Sequence, residues 1–119
     1  MPVSFGLRDE ENERINTILN RLTELVYVPD GWLLPETERL LMQLGLSRES
    51  LAGMDGDAFN SHLVKFHFDF LNIEKLADLM ATIPAFREKA LSAYNYIQAE
   101  SKMFSFEIFN KINALWSAQ

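Results

Sequence analysis

The chain has 119 residues, 48% hydrophobic and 24% charged, with 17 acidic against 11 basic side chains and a formal net charge of −6. This is enough apolar material for one folded domain over 1–119 and is typical of a globular rather than a disordered protein; the lack of cysteine excludes a disulfide scaffold, thiolate zinc sites and cysteine nucleophiles. The basic residues are scattered singly, which argues against nucleic-acid binding, a property that needs clustered Lys and Arg.

The opening stretch "MPVSFGLRDEENER" lacks a basic region followed by an apolar run, and no uncharged window approaches the ~20 residues that span a bilayer. A soluble cytoplasmic protein without membrane contact is the expectation.

From Asp9, "DEENERINTILNRLTELVYV" sets Ile15, Ile18, Leu19, Leu22, Leu25 and Val26 at helical spacing, with Asp9 as N-cap and acidic residues in the first turn. Pro29 and the turn pair Asp30-Gly31 stop this helix. A second helix runs from Pro35 to Leu44, with proline in its first turn and Gly45 as a left-handed C-cap followed by apolar Leu46. Ser47 restarts a short helical turn that "MDGD" closes.

The next helix is predicted from Ala58 to about Leu71. The apolar set that follows, Ile73, Leu76, Ala77, Leu79, Met80 and Ile83, points well over a quarter-turn away, which requires a break, placed at Asn72 as N-cap. Pro84 ends that element. Phe86, Ala90, Ala93, Tyr94 and Ile97 then repeat at helical spacing, as do Phe104, Ile108, Ile112 and Leu115; the two sets lie on one continuous stripe that a single long helix over 85–116 would also give, and reading Glu100-Ser101 as a cap and turn makes them a hairpin of two helices. The fold expected is an all-α bundle of five or six short helices arranged as hairpins.

A rival reading is α+β. Val64, Phe66, Phe68 and Phe70 alternate with polar residues, as "FSFEI" does at 104–108, so a small two-stranded sheet could join 64–70 to 104–108. A lone pair of strands is marginal, and both segments sit among helical patterns.

Both histidines lie in "HLVKFHFDFLN". On a helix His67 falls inside the apolar arc, where it reads first as a core histidine and second as the centre of a ligand pocket with Tyr94 and Tyr96. His62 and Asp69 stand two turns apart, roughly 10 Å along the axis, too far to share an ion. "DGDAFN" lacks the glycine and glutamate of a calcium loop, since Asn60 and Phe66 occupy those positions. No cofactor, metal or catalytic motif is read from the chain.

The remaining signal is aromatic. On the last helix Phe109 and Trp116, with Phe106 further round, form a second flank beside the core-facing stripe. One neighbouring helix covers one stripe, so this flank either meets a partner, another protein or a second copy in a homodimer, or is covered by the first helix folding back through Leu19 and Val26. A protein–protein interaction or self-association module is the function expected, and a small enzyme or ligand-binding domain with a pocket around His67 is the alternative.

Overall fold

The computed structural model describes the backbone of residues 3–102 and 105–117, and within these the side chains from Glu10 onward. Seven α-helices make up the fold among the described residues: α1 (Val3–Val26), α2 (Pro35–Gln43), α3 (Arg48–Gly53), α4 (Gly56–Lys65), α5 (Phe70–Ala81), α6 (Arg87–Glu100) and α7 (Phe106–Ser117). Single 3-10 turns at Gly31–Leu33 and Pro84–Phe86 link α1 to α2 and α5 to α6.

Helix α6 packs against α4, α5 and α7, while α1 lies along α5 and α2. The predicted stripes supply the core. Ile15, Leu19, Leu22, Leu41, Leu76 and Ala77 are almost wholly buried, as are Ala90, Ala93 and Tyr94 of α6.

Local chemistry sets the ends of these helices. At Gly31 an added Cβ would fall on the Leu25 carbonyl, so only glycine lets the chain fold back against the end of α1. The Thr37 hydroxyl then donates to the Gly31 carbonyl at 2.5 Å, tying that turn to α2. Gly45 has φ +71°, its N–H donating to Met42 and that of Leu46 to Leu41, the double bond of a Schellman cap. Ser47 and Ser50 exchange side-chain and backbone bonds at 2.9 Å as a capping box on α3.

Five expectations are corrected. The first helix begins at Val3, so the backbone of Asp9 is inside it and does not cap it. The break predicted at Asn72 lies earlier: α4 closes with Phe68 N–H donating to Leu63 and His67 N–H to Val64, and Asp69 caps α5 by accepting from the Asn72 N–H at 2.8 Å. This is a second Schellman cap, with His67 at φ +66° where glycine is usual.

His67 is consequently exposed and not a core residue. No strand forms among the described residues: 64–70 divides into helix end, turn and helix start, and 106–108 belongs to α7. Phe104 lies outside the described residues. Finally, α1 does not cover the aromatic flank, because Leu19 is fully buried while Phe106, Phe109 and Trp116 are exposed.

Candidate functional site

The last helix is held at its start by a side-chain clamp. Ser105 accepts from the Ile108 N–H through its hydroxyl oxygen at 3.2 Å, an N-cap bond. The Gln98 amide brackets Ser105, donating to its carbonyl and accepting from its N–H, both at 3.0 Å. Together with Lys102 at φ +60°, this turns the chain from α6 into α7 in a few residues.

The inner side of α7 is anchored twice. Ile108 and Leu115 are buried in the core. One turn round, Lys111 Nζ reaches Glu74 at 2.5 Å and Asp78 at 3.1 Å on α5, and Asp78 also accepts the Tyr94 hydroxyl of α6 at 2.5 Å. Burial works against the Lys111 charge, yet the hydrogen bonds to Glu74 and Asp78 outweigh it and hold the ammonium above the ordinary lysine value. Burial, and after it the bond to Asp78, pushes the Tyr94 phenol well above its ordinary range.

The outer side of the same helix is aromatic and exposed: Phe106 is 76% accessible, Phe109 44% and Trp116 61%. At about 100° per residue, Phe109, Asn113 and Trp116 fall within about 60° of one another, with Phe106 beside Asn113. The residues of this side are Phe106, Phe109, Asn110, Asn113, Trp116 and Ser117, all exposed and none charged. On a chain with a net charge of −6, this is a local departure from the rest of the surface.

Beside this face, α1, α5 and α7 enclose an open groove of about 1140 Å³, whose lining includes six carboxylates, Lys75, Lys111 and the exposed Leu71. Its polar groups are used to join helices. Lys75 donates to Asn16 and, at 2.9 Å, to Asn20, and the Asn72 amide donates to the Asn12 carbonyl at 3.1 Å. Among the described residues no cluster of three carboxylate or imidazole groups converges to hold a metal ion.

The residues of the alternative pocket are not brought together. His67 stands on the α4–α5 turn, Tyr94 is buried with its hydroxyl on Asp78, and Tyr96 lines a smaller groove of about 520 Å³ with Asn60, Val64 and Lys65. Phe70 packs near Tyr96, ring centroids 6.3 Å apart. Sequence reasoning missed Gln98 and Lys111, whose partners lie 7 and 37 residues away and share no spacing rule with them. No family model matches the chain, and no match was found among curated proteins or solved structures.

Proposed function

We propose that this chain is a protein-interaction module that self-associates through the outer face of α7. The observation that carries the reading is the exposure of three large aromatic side chains on one side of a helix whose other side is fixed in the core. Burying each such ring is worth about 1.5–3 kcal/mol, so a small domain gains by covering them. An association cost of about 4–15 kcal/mol is set against this gain, so the dimer is expected to be weak and concentration-dependent. The uncharged face also lets two acidic copies approach without like charges meeting at the contact.

The test is light scattering on the wild type and on a Phe109→Glu, Trp116→Glu variant across a concentration series, with circular dichroism as the check on folding. The wild type is expected to dimerise as concentration rises, and the variant to remain a folded monomer. A wild type that stays monomeric into the high micromolar range, or a folded variant that still dimerises, overturns the proposal.

A further inference from the structure

We infer that the self-association is a closed two-fold pairing in which α7 runs parallel to α7 of the second copy, with Asn113 meeting its own symmetry mate. The inference rests on the reading of the α7 face given above and adds the geometry of the contact and the residue that sets it.

Phe106, Phe109, Asn113 and Trp116 stand at intervals of three, four and three residues. That is the a, d, a, d seam of a two-stranded coil, one and a half heptads long. So short a helix does not form alone in water, but here Ile108, Leu115 and the Ser105 cap have already built it, so pairing costs no helix nucleation. The flanking e and g positions are Ser105, Asn110, Ile112 and Ser117, none charged. In paired helices these positions choose partners by charge; with none present, nothing opposes self-pairing and nothing selects a charged foreign helix.

Asn113 decides the direction. In a parallel pair it lies opposite the second Asn113, and the two amides can donate to and accept from each other across the axis. In an antiparallel pair it lies opposite Phe109, where burial would strip the amide of water and offer an aromatic ring in return. The parallel arrangement leaves Phe106, Phe109 and Trp116 each facing its own copy. Because both molecules use the same patch, the assembly closes at two and does not grow into a filament.

The lack of native cysteine makes thiol mapping direct. Ser117→Cys, at the end of α7 with all four seam residues intact, and, as an exposed position off the seam, Ala114→Cys are each oxidised with copper phenanthroline in air and followed on non-reducing gels, after circular dichroism has shown both folded. In the parallel pair the two Ser117 positions lie at the same end, and Ser117→Cys is expected to form the covalent dimer at least tenfold faster. Equal rates for the two variants overturn the inference. If the wild type is then still dimeric and the Phe109→Glu, Trp116→Glu variant monomeric, that result reverses the direction while leaving the α7 face as the contact. A monomeric wild type together with no rapid cross-link at either position removes the self-association reading itself.

Discussion

Replacing Gly45 by alanine is expected to destabilise the fold by about 2 kcal/mol, although it deletes no atom. Gly45 sits at φ +71°, a left-handed conformation that costs an L-residue with a side chain about 1 kcal/mol. The new methyl would also lie 2.9 Å from Phe66 Cε2 and 3.0 Å from His62 Cε1. Those two rings are stacked with centroids 5.6 Å apart, and His62 Nε2 is bonded to the Leu44 carbonyl at 3.0 Å. Moving the rings aside strains that bond, adding about 1 kcal/mol.

At about 4 °C per kcal/mol for a chain of this size, the melting temperature should fall by about 8 °C. The second Schellman cap supplies the converse. His67 is exposed at φ +66°, so His67→Gly should relieve the same left-handed penalty and raise stability by about 0.5–1 kcal/mol. Gly53, with open space around its Cβ position, is the control, and Gly53→Ala should be neutral or slightly stabilising. Thermal unfolding followed by circular dichroism measures all three. A Gly45→Ala melt within about 2 °C of wild type, or a His67→Gly variant that melts lower, would refute the account of both helix ends.

Ser47→Ala should cost about 1 kcal/mol in urea unfolding by removing half of the α3 capping box, and Ser47→Asp, which restores the acceptor, should recover most of it. Gln98→Ala removes the acceptor of the Ser105 N–H while the Ser105 carbonyl keeps the Phe109 N–H, and amide exchange at Ser105 and Ile108 should accelerate while α5 amides stay unchanged; uniform acceleration would mean that Gln98 supports the whole core. Tyr94 and Lys111 both have folded values raised above their unfolded ones, so the folded state holds more protons in alkali. Their contribution is complete below about pH 10 and is lost as pH rises above it. Tyr94→Phe should therefore flatten the decline in stability above pH 10, and an unchanged slope in denaturant titrations would count against the Asp78 network.

Much of the fold was legible because its signals are local. The stripe from Ile15 to Leu25, the proline start and glycine end of α2, and the helical restart at Ser47 each depend on residues within a turn or two of one another. The break after α4 was misplaced because its left-handed residue is histidine, so the glycine that marks the end of α2 had no counterpart in "KFHFDF". Asn72 has the chemistry of a cap but spends its side chain on Asn12, leaving the capping to Asp69 three residues earlier. The exposed face of α7 could be read from spacing alone. Which helix would leave it open could not, since that depends on α1 turning its apolar side to α5 and α2.

The helix pairs around α6 join segments close in sequence, whereas α1 meets α5 through bonds such as Asn72 to Asn12 and Lys75 to Asn20, which span 60 and 55 residues. Closing the longer loop adds an entropic debt of at most about 0.6 kcal/mol, the cost of one doubling, over the α4–α7 pairs, where the Lys111–Glu74 bond spans 37 residues. In the time domain, α1 is then the piece that seats last on folding and lifts first on opening. Native-state amide exchange should find the α1 amides opening with a smaller free energy than those of α5 and α6. Equal protection along all three helices would instead mean that the molecule opens and closes as a single unit.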